Sequence, residues 1–405
     1  EAGIDYGILL SNNTPFLLDL KSSPNAQVIL TTGQAGSGKS NLIKGALESH
    51  MIQKDFMDIC DIKGVDYTGL KDLYPQQTAV LDLYKGVYPN LLDMSDLPNP
   101  DENTRDDLLE YTIDIMIALL ELSPKEIDSH YNDCVSLLRI LLIHYVESMG
   151  VTTDPKTFHL SSGMNYFKFW EYASQELAMS PSIKEDYQDV VPLLTKRLSQ
   201  YLSYEGKRKS YFKTQLNPSE ILKKQAVIYA FHTISKDKKD LRTALSFLYM
   251  SALSLIRNQY IKSQKMMQVL VYEELQEASN DIALLKTIAK RATVSRSSNG
   301  TMYTVFNNVE MFQPTESSEI NKALSSLKAC YTTYFIGYME EGNTQFLKDN
   351  FRVKEIHDYI DIINNAETAK ENKYNFAVKY NTGDKKGSGM IRQILPNSYT
   401  DNSLY

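Results

Sequence analysis

Apolar and polar positions alternate at first along this chain, then give way to short continuous apolar runs. Ile8-Leu9-Leu10 and Phe16-Leu17-Leu18 flank the turn formers Asn12-Asn13, which predicts a β-hairpin. Gln27-Val28-Ile29-Leu30-Thr31 is uniformly apolar in its middle and predicts a core strand running into a glycine-rich stretch. Beyond it Leu42, Ile43, Ala46 and Leu47 recur at helical spacing, and Phe56-Met57-Asp58-Ile59-Cys60 predicts a second strand ending at Asp61. Strand, loop, helix, strand is the opening of a parallel α/β sheet.

From about residue 98 the period changes. Leu108, Leu109, Ile113, Met116, Leu119 and Leu120 repeat as on a helix and β-branched runs vanish, up to about residue 220. Pro98-Asn99-Pro100 and Asn217-Pro218 bound this stretch. Strand patterns then return at Ala226 to Phe231, Val269 to Tyr272, Met302 to Phe306 and Thr333 to Ile336, with helical stretches at Leu241 to Arg257 and Ile282 to Ala292. Residues Asn375 to Leu395 alternate like a last hairpin, with Gly383 and Gly387 at its turn. The fold class expected is α/β, with a mainly parallel sheet and a large α-helical insertion. The expected organisation is a first core part over 1–97, the insertion over 98–220 and a second core part over 221–405.

Composition narrows the partners. The 405 residues are 42% hydrophobic and 23% charged, enough for a sizeable core. With 43 basic against 50 acidic residues the net charge is −7, so any contact with DNA has to be local rather than a coating. Cys60, Cys134 and Cys330 are far apart and form no CxxC pair, which fits reduced thiols and argues against a zinc site. No apolar run approaches the roughly 18 residues that span a bilayer.

The chemistry starts at Gly33-Gln34-Ala35-Gly36-Ser37-Gly38-Lys39-Ser40, followed by Asn41. The pattern GxxxxGK[ST] between a strand and a helix is a phosphate-binding loop. Its glycines let backbone N–H groups surround the phosphates, its lysine bridges the β- and γ-phosphates, and its serine hydroxyl binds Mg²⁺. The helix N-terminus adds its positive end to the same anion. Gly33 to Asn41 are therefore the expected nucleotide-binding residues, with ATP and Mg²⁺ as ligands. A second element is Val269-Leu270-Val271-Tyr272-Glu273-Glu274, an apolar strand ending in two carboxylates. Glu273 is expected beside the Mg²⁺ with Ser40, and Glu274 as the general base for the attacking water. An acid-rich helix start is the plainer alternative for this pair.

Three further positions carry open readings. Asn307, at the end of the next strand, reads either as a sensor of the terminal phosphate or as an ordinary turn residue. Arg291 and Arg296 read either as arginine fingers reaching across a subunit interface or as charges near a helix end. Lys196-Arg197 to Lys213, with Lys207-Arg208-Lys209 and Tyr211-Phe212, mixes cations and aromatics as nucleic-acid surfaces do, and as solvated loops do.

In the order of these elements the sequence resembles the conjugation and type IV secretion ATPases of the VirB/TraC/ConE kind, within the class that also holds FtsK- and HerA-type motors. The approach Asn25 to Leu30 is similar to the family's, Asp61-Ile62-Lys63-Gly64-Val65-Asp66-Tyr67 resembles its "DPEGEY" stretch, and Asn90-Leu91-Leu92-Asp93 resembles its "NPLD" element. It departs from the family pattern with Glu273 for Asp, Asn307 for Gln and Lys63 for Glu. The resemblance implies a RecA-like ATPase core, the C-terminal motor part of a longer protein. It also implies self-association into hexamers or smaller assemblies, and docking on membrane-embedded secretion or conjugation components at the cytoplasmic face of the membrane. The alternatives are a DNA translocase that binds DNA itself and a nucleotide-binding docking subunit with little hydrolysis.

Overall fold

The structure is a computed structural model that describes residues 3–394 apart from 22, 24–26, 83–86, 213, 217–218, 231–240, 279–281, 296–299, 366–371 and 373. The first half of the chain runs β1 (Ile4–Leu9), β2 (Thr14–Leu18), β3 (Gln27–Thr32), α1 (Lys39–Ile52), β4 (Phe56–Asp61), α2 (Gly69–Leu73), β5 (Thr78–Asp82) and β6 (Val87–Pro89). Helices α3 (Thr104–Leu120), α4 (Pro124–Ser148), α5 (Tyr166–Met179), α6 (Pro181–Asp186) and α7 (Val191–Leu202) follow. Next come β7 (Thr214–Leu216), α8 (Ser219–Leu222), β8 (Ala226–Ala230), α9 (Leu241–Ser263), β9 (Gln268–Tyr272), α10 (Ile282–Ser295) and β10 (Gly300–Phe306). The chain closes with α11 (Ser318–Cys330), β11 (Thr333–Ile336), α12 (Glu341–Asn350), α13 (His357–Asn364), β12 (Asn375–Asn381) and β13 (Lys386–Arg392).

Eleven strands form one sheet in the order β2-β1-β13-β12-β11-β3-β10-β9-β4-β8-β5. The seven from β11 to β5 are parallel, and the two terminal hairpins extend the sheet antiparallel from β11. Strands β3, β8, β9, β10 and β11 are buried at every residue. Strands covered on both faces read as unbroken apolar runs, whereas the outer β2 keeps the alternation of a half-solvated strand. The large sheet is thus mainly parallel, as the pattern predicted.

One face of the sheet packs against α1, with Ile43, Ala46 and Leu47 meeting Ile29, Ile59 and Val271. The other face meets α9, α10 and α11, and the inserted helices join the same core: Leu108, Met116 and Leu138 cluster with Val28, Leu270 and Tyr272. The insertion leaves the sheet after β6 and returns at β7, which pair in parallel as a two-stranded clasp. Helix α4 begins with a full capping box, Ser123 and Glu126 satisfying each other's backbone N–H groups, with Pro124 at the first helical position.

Several expectations change in the details. The final hairpin turns at Gly383, with φ +87, while Gly387 lies inside β13 opposite Tyr380. An added Cβ at Gly387 would lie 2.5 Å from the Tyr380 hydroxyl, so the glycine answers a close cross-strand approach and not a turn. Strands β5, β6 and β7 and helices α11, α12 and α13 carry no counterpart in the sequence reading. The three cysteines are free and buried. No described helix is long and apolar enough to cross a membrane.

Candidate active site

Parallel strands bring their carboxyl ends to one edge of the sheet, and ligands of open α/β sheets gather there. The loop after β3 starts α1, β10 lies beside β3, β9 beside β10, and β4 beside β9. Residues far apart in sequence, Gly33 to Ser40, Asp61, Glu273 and Asn307, therefore meet at this edge.

The loop has the conformation its glycines permit. Gly36 and Gly38 adopt φ +79 and +91, outside the range of L side chains, and Gly38 forms the left-handed cap of α1. The Gln34 N–H donates to the Tyr338 carbonyl at 2.6 Å, which ties the loop to the chain leaving β11. Lys39 is buried and folds back, its Nζ donating to the Gly33 carbonyl at 2.6 Å and the Gln34 carbonyl at 3.0 Å. Burial lowers its pKa to about 8, with Lys63 acting in the same direction and Glu274 and Glu273 opposing. Asn41 sits half-buried in the first turn of α1.

Ser40 and Glu273 are in direct contact, the Ser40 hydroxyl donating to Glu273 Oε1 at 2.9 Å. Glu273 is 2% exposed and its other oxygen, Oε2, has no hydrogen-bond partner. Burial above all, then the charges of Asp66 and Asp61, raises the Glu273 pKa to about 8. These three residues each place a carboxylate oxygen within 4.8 Å of the other two. Asp61 accepts N–H bonds from Gly64 at 2.9 Å and Tyr67 at 2.8 Å, yet burial still lifts its pKa to about 6. Three carboxylates, two buried and Asp66 half-buried, with an unpartnered oxygen on Glu273 and a serine hydroxyl beside it, make a hard-oxygen donor set suited to Mg²⁺. Asp61 and Asp66 were not among the residues expected there. The signal for Asp61 was the acid closing an apolar strand, the same feature that marks Glu273, while Asp66 lies five residues beyond in the loop and carried no such signal.

Glu274 stands one residue beyond, at φ +48, a left-handed backbone that costs a non-glycine residue of order 1–3 kcal/mol. Its carboxylate pairs with Lys63 Nζ at 2.8 Å, and Lys63 also reaches Asp66 at 3.2 Å. The lysine that departs from the family pattern thus sits against both the acid cluster and the candidate base. Asn307 is half-buried past β10, and its backbone N–H donates to Gln276 Oε1 at 3.4 Å, which brings that strand end close to the Glu273-Glu274 turn.

The arginines separate. Arg291 is 4% exposed and donates to Ser254 Oγ at 3.0 Å and Gln268 Oε1 at 3.5 Å within its own chain. Gln268 begins β9 whereas Glu273 follows its end, so Arg291 lies about 16 Å along the strand from the site, at roughly 3.3 Å per residue. A guanidinium held there does not extend from the surface as a finger must. Arg296 lies outside the described residues. In the basic stretch, Arg197 binds Glu126 at 2.5 Å and Arg208 binds Glu121 at 2.8 Å, so both serve the insertion's own packing; Lys213 also lies outside the described residues. A cavity of about 790 Å³, lined by Lys54, Phe56, Lys223, Lys224 and Tyr260 among others, opens at the amino ends of the strands, away from this chemistry.

Among known proteins, no family model and no curated protein sequence matches this chain. Solved structures do. VirB4 of Thermoanaerobacter pseudethanolicus matches with a TM-score of 0.70 at 15% identity, over 100% of this chain and 98% of that one. The plasmid coupling protein TrwB in complex with ADP and Mg²⁺ matches with a TM-score of 0.57 at 13% identity, over 99% and 92% of the two chains. TrwB with the non-hydrolysable ATP analogue ADPNP gives 0.58 at 12%, over 97% and 90%. Identities this low speak for fold alone. The chain has the fold of VirB4 and of the conjugative coupling protein TrwB, the architecture that its order of motifs implied.

Proposed function

We propose that this protein hydrolyses ATP with Mg²⁺ and works as a motor of a conjugation or type IV secretion machine. The observation that carries the reading is the contact of the loop serine with the strand-end acid, Ser40 to Glu273, beside a buried Lys39. Together these supply a cation for the phosphates and, on the next residue of the loop, a metal seat.

Backbone N–H groups of the loop other than those of Gln34 and Ser37, which bond the Tyr338 and Gln34 carbonyls, hold the phosphates, and Lys39 leaves the loop carbonyls to meet the β- and γ-oxygens. Ser40 and Glu273 hold the metal, with Asp61 and Asp66 completing or buffering its charge. The ion, when bound, neutralises charge developing on the phosphate oxygens. Glu274 takes the proton of the attacking water. Asn307 orients the water or the terminal phosphate from the neighbouring strand end.

The TrwB structures with ADP and Mg²⁺ and with ADPNP support these ligands by likeness of fold. We further propose self-association, as a hexamer or a smaller ring, and docking on membrane-embedded components at the cytoplasmic face. The Lys63–Glu274 ion pair favours a second form of the reading, in which the isolated subunit turns over slowly until assembly parts that pair. The test is ATP hydrolysis measured across protein concentration, with and without DNA. Activity rising with concentration supports an assembling motor, and stimulation by DNA indicates a translocase. No hydrolysis under any condition overturns the enzyme.

A further inference from the structure

The acid side of the phosphate loop is crowded with Glu273, Glu274, Asp61 and Asp66, and the strand order places all of them on one flank of β3. The opposite flank of β3 holds β11 and then β12. Strand β12 runs antiparallel to β11, so its start and the end of β13 come to the same edge of the sheet as the loop. Two residues stand at that corner. Tyr374 immediately precedes β12 and Gln393 immediately follows β13, joined by the Gln393 N–H donating to the Tyr374 carbonyl at 3.3 Å.

Both side chains press on the loop itself. A Cβ added at Gly38 would lie 2.6 Å from Gln393 Nε2 and 3.0 Å from Tyr374 Cδ1. Gly38 itself is set by its backbone angle of φ +91, and the two side chains mark what stands over it. Tyr374 is 46% exposed, so part of its ring remains open to solvent although its Cδ1 edge lies against Gly38. Gln393 is half-buried, and its Oε1 is a buried acceptor with no hydrogen-bond partner. A buried amide oxygen left without a donor is costly and calls for an external one.

We infer that Tyr374 and Gln393 form the seat of the nucleoside half of the nucleotide, which rests on the nucleotide reading above. The direction follows from charge. A triphosphate on the loop turns its terminal phosphate toward the metal ligands Ser40 and Glu273, so the nucleoside leaves on the far flank, where the aromatic ring and the amide stand. The ring stacks the base, an interaction that tolerates any base because each has a π-face. The amide oxygen accepts from a nucleoside donor, either an exocyclic amine of the base or a ribose hydroxyl.

Calorimetric titration of the protein with Mg·ATP and with inorganic tripolyphosphate tests this, because the second ligand has phosphates and no nucleoside. Tyr374→Ala is expected to weaken ATP binding about tenfold or more, equivalent to about 1.4 kcal/mol, while tripolyphosphate affinity stays within twofold and Tyr374→Phe binds both as the parent does. Equal loss for both ligands would mean that Tyr374 only props the loop and would overturn the seat, as would unchanged ATP affinity. A parent protein that binds neither ligand would refute the phosphate loop itself and the seat with it. For Gln393→Ala a severalfold loss is expected with ATP. The same loss with inosine triphosphate, which lacks the exocyclic amine, assigns the donor to the ribose, and a loss confined to ATP assigns it to the amine. No loss with either removes Gln393 from the seat.

Discussion

Replacing Glu273 by Gln should move stability and metal binding in opposite directions. Without a cation Glu273 is held at a pKa of about 8 by burial and by Asp66 and Asp61, against an ordinary value of 4.5. At pH 7 the unfolded chain releases this proton and the folded chain largely keeps it. At about 1.4 kcal/mol per pH unit, the mismatch between 4.5 and 7 costs the fold about 3 kcal/mol. Because the folded value lies above the unfolded one, the cost is absent below about pH 4.5, grows as pH rises, and levels off above about pH 8. Gln has nearly the same shape, accepts the Ser40 hydrogen bond and carries no charge. In EDTA at pH 7, Glu273→Gln should therefore melt about 3 °C above the parent, taking about 1 °C per kcal/mol for a chain of this size. That gain should shrink to nothing near pH 4.5. Adding Mg·ATP should raise the melting temperature of the parent by mass action and that of the variant by clearly less. The assay is thermal unfolding followed by circular dichroism over pH, with EDTA or with Mg·ATP. A variant that melts below the parent in EDTA, or that gains as much from Mg·ATP, would refute the charge-crowded metal seat.

Lys39→Ala should abolish nucleotide binding measured by calorimetry, because the side chain that now caps the Gly33 and Gln34 carbonyls is the cation proposed for the phosphates. Glu274→Gln should bind ATP as the parent does while single-turnover hydrolysis falls about a hundredfold or more; an unchanged rate would place the base elsewhere. Arg291→Ala removes a buried guanidinium from Ser254 and Gln268, and should lower stability in denaturant titration by about 2–4 kcal/mol. Mixing it with Lys39→Ala should restore no activity, whereas rescue would show that the arginine acts between subunits after all.

How much of this was legible beforehand depends on whether the cause was local. The conformation of the glycine-rich loop could be read outright, since the positive backbone angles at Gly36 and Gly38 are needs of a few consecutive residues. The doubly buried strands β3, β8, β9 and β10 could be read too, because covering both faces leaves an unbroken apolar signature. Short edge elements were lost: β5 and β6 are brief, and β5 mixes buried and half-buried positions with no clear period. Arg291 illustrates the opposite failure. Its place on an apolar helix end is compatible with surface or core, and only the packing of α10 on α9 and β9 buried it.

The sequence by itself determined that a glycine loop sits between a strand and a helix, and that two acids close a later strand. It could not determine what stands beside them, because strand order in a parallel sheet is set by crossover connections rather than by any local pattern. Placing β9 between β10 and β4 put Glu273 against Ser40 and brought in Asp61 and Asp66, 207 and more residues upstream of it in the chain. Folding the last hairpin back onto β11 set Tyr374 and Gln393 against Gly38. Burial at that edge then did what no residue type encodes, raising Glu273 and lowering Lys39 toward the same value of about 8 by stripping water from both charges.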